Sequence, residues 1–358
     1  MITLFITLIL VFISIAIWQM IKIFDLTRAL KGEEIDDSQI ANYKDNRMNA
    51  RLMLGFLAFI YAITIICFVK YGHFPLITDA ASEHGVKIDT LMISTFALIF
   101  FVQTITQFLL HYFAYTYRGK KGSKALFYAD NHKLELIWTL TPAVVLTGFI
   151  TYGLLTWSDV MNISDDDDPM VVELYAQQFN WKARYAGNDN SLGKANVRLI
   201  DMDRANILGI DESDPNASDD IITTEIHLPV NKPVLFKMRS QDVIHSAYMP
   251  HFRAQMNCVP GMITEFSFTP TKTTAEMRMN SDIAAKVERI NKIRYDNNQK
   301  LLAKGEEGLD PYQFDYLLLC AKICGTSHYN MQMKIVVDTE KDYNKWISSQ
   351  SAFSSIMQ

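Results

Sequence analysis

The chain has little of what would make it a disulfide scaffold or a binder of nucleic acid. It contains only four cysteines in 358 residues, too few for a disulfide framework. Cys67 lies in an apolar run, Cys258 stands alone, and only Cys320 and Cys324 form a close pair. There is no basic excess either. The balance of 34 Lys+Arg against 39 Asp+Glu gives a formal net charge of -5, which argues against the positive surface that nucleic acid selects. Long apolar runs are absent after about residue 157 and frequent before it, so the overall 49% hydrophobic content hides two regions. From Ser158 onward about 21 Lys+Arg face about 28 Asp+Glu, making the later region acidic and the earlier one slightly basic.

Four segments, roughly 2–24, 52–71, 90–115 and 134–157, approach the ~20 apolar residues needed to cross a bilayer. Pro142 falls inside the last, which a membrane helix tolerates. The first lacks a basic start and has no small-residue cleavage site before Lys22 and Asp25, so it is expected to remain as a helix and not to be removed as a signal peptide. Arg28, Lys31, Lys44 and Arg47 follow the first segment, and Arg118, Lys120, Lys121, Lys124 and Lys133 follow the third. The loop around 73–89 holds only Lys87 in its middle. The positive-inside rule then puts both basic loops on the cytoplasmic side and everything after Trp157 outside.

The outer region reads as mostly strand. Short runs at 171–185, 197–200, 224–228, 234–239, 263–269, 276–279, 316–319 and 333–337, several alternating and all separated by turn residues, predict a sandwich or barrel of Greek-key type. Between 281 and 304 the pattern changes to charged residues, with Ile283, Val287, Ile290 and Ile293 at helical spacing, which predicts an inserted amphipathic helix. The acidic stretches 165–168 and 211–220 read as solvated loops.

The chemistry concentrates in Cys320-Ala-Lys-Ile-Cys324-Gly-Thr-Ser-His328-Tyr-Asn-Met331. Thiolates and a thioether beside an imidazole select copper or zinc over hard cations. Zinc has little use for Met331, so copper leads. A disulfide between Cys320 and Cys324 is the alternative without metal. The spacing would also suit one helix face, but Gly325 and the flanking YLLL and MKIVV strands favour a loop, whose backbone carbonyls can serve as further ligands. Such a site needs another histidine. His245, in Asp242-Val-Ile-His245-Ser246, is the best candidate, with His227 and His251 competing.

These stretches, with Val259-Pro260-Gly261, Leu134-Glu135-Leu-Ile-Trp138-Thr139-Leu-Thr-Pro142 and Ala176-Gln-Gln-Phe179-Asn-Trp181-Lys-Ala-Arg-Tyr185, resemble subunit II of the haem-copper cytochrome c oxidases. The resemblance is collinear from about Leu91 to Val337 and leaves out the first ~75 residues and the 281–312 insertion. It implies an α+β membrane protein in which transmembrane helices precede a cupredoxin-like Greek-key β-barrel. Residues 1–75 would be an extra region with two transmembrane helices, 76–157 a helical hairpin, and 158–358 the copper domain. Cys320 and Cys324 would bridge two copper ions, the binuclear CuA centre. His245 and His328 would each cap one ion, with Met331 and the Lys322 backbone carbonyl as weak ligands. Glu135 would stand at the mouth of a proton path or, on the plainer reading, as a snorkelling interfacial carboxylate. Two positions depart from the family. Lys322 replaces the usual Glu, and an ammonium cannot ligate magnesium, so the family's magnesium site does not carry over. Lys322 is expected to supply that ion's positive charge instead. Phe179 replaces a Trp of the family's electron-receiving patch, leaving Phe179 and Trp181 as candidates for that role; the plainer reading of both is barrel packing.

The function so implied is to accept electrons from a cytochrome c, or a cytochrome c domain, and pass them to haem in the catalytic subunit I, where oxygen is reduced. Other oxidase subunits, within a supercomplex or not, would complete the assembly in a bacterial inner membrane with the copper domain on the periplasmic face. No nucleic acid is expected as a partner. The acidic outer region fits a basic donor. The alternatives are a copper-bearing subunit of a nitric oxide reductase and a membrane copper carrier or assembly factor.

Overall fold

The computed structural model of the chain describes residues 2–29, 43–72, 79–161, 168–204 and 206–356. Lys31, residues 73–78 and most of the acidic run 165–168 lie outside them. The chain opens with helices α1 (Ile2–Ala29), α2 (Tyr43–Tyr71), α3 (Glu83–Thr116) and α4 (His132–Met161). Apolar segments of this kind fold as helices because hydrocarbon offers no partner for free backbone N–H and C=O groups. Of the four spans expected, α2, α3 and α4 are long and apolar enough to cross a membrane; in α1 the apolar stretch among described residues is the shorter Val11–Ile23.

The chain divides into two compact units, Met1–Gly72 with Ile99–Asn131, and His73–Leu98 with His132–Gln358. In the first, α2 runs antiparallel to its part of α3: Phe56 meets His111 at 6.2 Å, Tyr61 meets Phe108 at 5.5 Å, and Phe68 meets Phe100 at 6.0 Å between ring centroids. In the second, the start of α3 lies against the end of α4, with Lys87 paired to Asp159. The segment before α3 is stitched into the strand domain. Ala81 N–H donates to the His251 carbonyl at 2.8 Å and the Ala81 carbonyl accepts from Thr271 N–H at 2.8 Å. Arg253 then grips both carboxylate oxygens of Asp89 at 2.8 Å each, a two-point bond that fixes orientation as well as distance.

Of the sandwich or barrel expected, the strand domain forms a sandwich of two five-stranded sheets. Its strands are β1 (Met170–Gln177), β2 (Asn180–Tyr185), β3 (Ile221–Thr223), β4 (Ile226–Pro229), β5 (Val234–Ser240), β6 (His245–Met249), β7 (Ala254–Cys258), β8 (Thr264–Phe268), β9 (Tyr316–Cys320) and β10 (Gln332–Asp338). One sheet has the order β3-β2-β1-β5-β8 and the other β4-β10-β9-β6-β7. Strand periodicity sends Val234, Phe236 and Met238 of one sheet and Met333, Ile335 and Val337 of the other into a shared core. Four helices complete the unit: α5 (Thr274–Met279), α6 (Ser281–Leu302), α7 (Glu340–Ile347) and α8 (Phe353–Ile356).

Three local expectations change. The run 197–200 is a 3-10 turn over Val197–Leu199, capped by the Asn196 side chain, with Val197 and Leu199 exposed. The run 276–279 is helix α5, because Thr273 and Glu276 form a reciprocal capping box that satisfies the first-turn donors. The run 171–185 is two strands joined by a turn at Gln178 and Phe179. The inserted helix is α6, capped by Asn280, with Ile283 buried, Val287 packed on the core, and Ile293 exposed.

A buried charge network lies beneath the β1–β2 pair. The Arg184 guanidinium donates to Glu173 Oε2 at 2.6 Å, to the Gly193 carbonyl at 2.9 Å and to Asp220 Oδ2 at 3.1 Å. Arg239 binds the other Glu173 oxygen. Burial pushes the Asp220 carboxyl up to about 7, against the pull of Arg184 and the Gly193 N–H. A folded-state pKa above the unfolded value, about 3.9, means that protonation favours the fold. This contribution is full below about pH 4 and is lost as pH rises through about 7. Thermal unfolding between pH 5 and pH 8 is therefore expected to show a declining midpoint that Asp220→Asn flattens; an unchanged slope in the variant contradicts this assignment.

Candidate metal centre

The centre is assembled by strand register. β6 lies between β7 and β9, with Ala247 opposite Cys320 and the Ala321 N–H bonded to the Ser246 carbonyl at 3.0 Å. This sets His245, the first residue of β6, beside Cys320, the last of β9. The chain then leaves β9 in a loop and returns through a 3-10 turn at His328–Asn330, with Met331 N–H bonded to the His328 carbonyl at 3.2 Å. That turn folds His328 and Met331 back over Cys324. The loop reading of the motif therefore holds, and the helical one does not.

The six positions named from the sequence come together. Cys320 Sγ lies 3.9 Å from Cys324 Sγ, 3.8 Å from His245 Nδ1 and 3.2 Å from the Lys322 carbonyl oxygen. Cys324 Sγ lies 3.5 Å from His328 Nδ1 and 3.8 Å from Met331 Sδ. Each sulfur thus has one imidazole and one weak donor of its own. Among the described residues, His245, Cys320 and Cys324 are the one group of three or more His, Cys, Asp or Glu side chains whose ligand atoms all lie within 4.8 Å of one another. The thiols are free. The donor set is two sulfurs, two ring nitrogens, a thioether and a carbonyl, which suits a soft metal and offers a hard dication no carboxylate.

The competing histidines go elsewhere. His227 stacks on Trp346 at 4.0 Å with Nδ1 on Asp338 at 2.6 Å. His251 sits among Phe314 and Tyr316, where burial, aided by Lys286 and Arg253, lowers its pKa to about 4. Trp181 is buried, its ring 6.1 Å from that of His245 and its Nε1 3.5 Å from the Met331 carbonyl oxygen. Phe179 is half-buried at the β1–β2 turn. Glu135 lies in the first turn of α4, 3.3 Å from His132 Nδ1. Lys322 is exposed.

One residue went unassigned in the sequence although its motif was visible. His245 Nε2–H donates to Asp242 Oδ1 at 2.8 Å, which leaves Nδ1 as the free lone pair facing Cys320. Burial works to raise the Asp242 pKa, but hydrogen bonds from the Gln178 N–H, His245 and the Val243 N–H outweigh it and hold the carboxyl below its ordinary value. A carboxylate behind a ligating imidazole fixes tautomer and ring orientation. Its signal was the Asp three positions before His245.

Two families match the chain: "Cytochrome C oxidase subunit II, transmembrane domain" over residues 70–154 and "Cytochrome C oxidase subunit II, periplasmic domain" over residues 170–290. The second match stops inside α6, before the cysteine motif. Among curated proteins, the chain is 31% identical over 281 residues to the alternative cytochrome c oxidase subunit 2 of Bradyrhizobium diazoefficiens, covering 78% of this chain and 85% of that protein. It is 22% identical over 325 residues to cytochrome c oxidase subunit 2 of Thermostichus vulcanus, covering 82% and 84%. With the same subunit of Corynebacterium glutamicum it shares 25% identity over 243 residues, covering 61% and 58%.

Burial, reinforced by hydrogen bonding to Cys320, pushes the Cys324 thiol up to about 11. At neutral pH the metal-free thiol is protonated, and a metal that takes the thiolate must release that proton. Copper affinity should therefore rise with pH. Adding copper to weakly buffered, metal-free protein should acidify the solution, and Cys324→Ser should remove part of that acidification; equal proton release from wild type and variant would count against Cys324 as a ligand.

Proposed function

The chain belongs to the cytochrome c oxidase subunit II family, and on that premise we propose the residues by which it receives electrons. It is the subunit through which electrons come into a cytochrome c oxidase, it carries the family's CuA copper centre in a cupredoxin-like domain, and it works as part of an oxidoreductase complex. The observation that supports the ligand assignment is the convergence of all six donors around the two thiols.

On this reading Cys320 and Cys324 bridge two copper ions, His245 and His328 cap them, and Met331 and the Lys322 carbonyl are the weak ligands. Two copper ions sharing thiolates supply a one-electron acceptor whose charge change is spread over both. The protein's part is to hold the ligands in place beforehand, so that little nuclear movement accompanies the electron. β6, β9 and the 3-10 turn at His328 do this, and Asp242 keeps His245 in the tautomer that presents Nδ1. Magnesium has no ligand at residue 322, and the Lys322 ammonium stands where the family's carboxylate would.

The electron arrives from a cytochrome c, or a cytochrome c domain, whose basic face the acidic outer domain attracts. Phe179 and Trp181 form the inward route, Phe179 at the turn and Trp181 beneath it beside His245. The electron leaves for haem in the catalytic subunit I, where oxygen is reduced. Glu135, on the first turn of α4, stands at the mouth of a proton path on the cytoplasmic side. Residues 1–75 are an added membrane region, 76–157 the family's helical hairpin, and 158–358 the copper domain with its insertion at about 281–312. The basic loops support a position for that domain on the outer, periplasmic face, in what we take as a bacterial inner membrane.

Two experiments test this. In the purified oxidase, Cys320→Ser or Cys324→Ser should abolish the multi-line copper EPR signal and cytochrome c oxidation while haem content is kept; a retained signal or unchanged turnover rejects the ligand set. Phe179→Leu and Trp181→Phe should slow the rapid electron-transfer phase from reduced cytochrome c by about tenfold or more, ~1.4 kcal/mol of barrier. Full copper content and an unaltered rate in both variants would remove them from the route.

A further inference from the structure

The turn between β1 and β2 carries a glutamine, Gln178, that belongs to no ligand set. Its backbone N–H donates to Asp242 Oδ2 at 2.7 Å, while the other oxygen of that carboxylate holds His245 Nε2. Its side-chain Nε2 donates to the Cys324 carbonyl at 2.5 Å. One exposed residue thus reaches both loops that carry the metal ligands, 64 and 146 residues further along the chain. The next residue closes the same seam. Gly325 has φ +136°, and a Cβ there would lie 2.8 Å from Phe179 Cζ and 3.0 Å from Gln178 Nε2. The turn therefore packs directly against Cys324–Gly325, at a φ that residues with a side chain rarely adopt.

We infer that Gln178 is a positioning residue of the copper centre, a clamp that sets the spacing between the His245 loop and the Cys324 loop. The inference rests on the copper reading above. Gln178 touches no ligand atom; it acts on His245 through Asp242 and on Cys324 through the peptide carbonyl. The amide end matters because that carbonyl only accepts, so the group facing it must donate. Methionine keeps the length without the donor. Glutamate turns a negative oxygen toward both the carbonyl and the thiolate. A donor on the Cys324 peptide also favours the electron-rich state of the adjoining sulfur, so its loss lowers the centre's reduction potential.

The test uses the whole oxidase carrying Gln178→Met or Gln178→Glu, and the metal-free full chain of each. Copper affinity, measured in competition with a chelator, should fall about 10- to 100-fold relative to wild type, the range typical for partners behind a ligand. The reduction potential should fall in both variants, and further with Glu than with Met. In the metal-free chain, alkylation of Cys324 should be faster in both variants, a measurement that does not depend on copper loading. If wild type lacks the two-copper EPR signal, the ligand reading itself fails. If wild type shows that signal, and the variants match it in copper affinity, potential and alkylation rate, the clamp is refuted while the ligand reading stands. A loosening that is equal in both variants with no shift in potential reduces Gln178 to ordinary packing and also refutes it.

Discussion

The pairing of β6 with β9 is the constraint on which the centre depends. His245 and Cys320 are 75 residues apart in the chain, yet the ladder sets His245 Nδ1 3.8 Å from Cys320 Sγ. Because side chains alternate across a strand, a one-residue slip of β9 against β6 would turn the sulfur to the opposite face. The core on either side of the ladder resists that slip: Ala247 and Met249 of β6 and Tyr316 and Leu318 of β9 are all buried. The hydrophobic pattern of ordinary barrel strands is therefore also what measures the distance between two metal ligands.

The second half of the ligand set is local. Cys324, His328 and Met331 are held by one loop with a 3-10 turn, and their spacing was legible because neighbours in a short loop are neighbours in space. His245 was legible as the best candidate only through its motif, and spacing alone left two rivals that the fold then separated. His227 had been drawn to Trp346 and Asp338, and His251 to an aromatic nest, by partners far away in sequence. The same limit hid Gln178, whose two partners lie on other loops.

Most of the architecture was readable for the same reason that the loop was. Long apolar runs and two-residue alternation are repeating signals, and α2, α3, α4, β5, β8 and β10 follow them. The errors fell where one local group outweighed the pattern. Met277 and Met279 alternate as in a strand, but the Thr273–Glu276 box supplies the donors' partners at the start of a helical turn, and α5 results. Val197 and Leu199 alternate too, yet the Asn196 side chain caps the segment and it bends into a turn. The strands β3, β6 and β7 are three to five residues long, too short for the pattern to stand out, and β6, which opens with His245-Ser246, is where the ligand lies.

The position of α6 bears on how such a chain can change over generations. The helix and the segment after it enter between β8 and β9, on the path joining His245 to Cys320, and they hold themselves together through bonds such as Asn291 to Tyr312 and Asn298 to Leu309. Lengthening a connection between two strands costs only logarithmically, on the order of 0.6 kcal/mol for each doubling. Residues can therefore be gained or lost there without disturbing the ladder. This stretch is a permissive site, open to drift and to new attachments, while the residues on either side of it are held to a register of a single position.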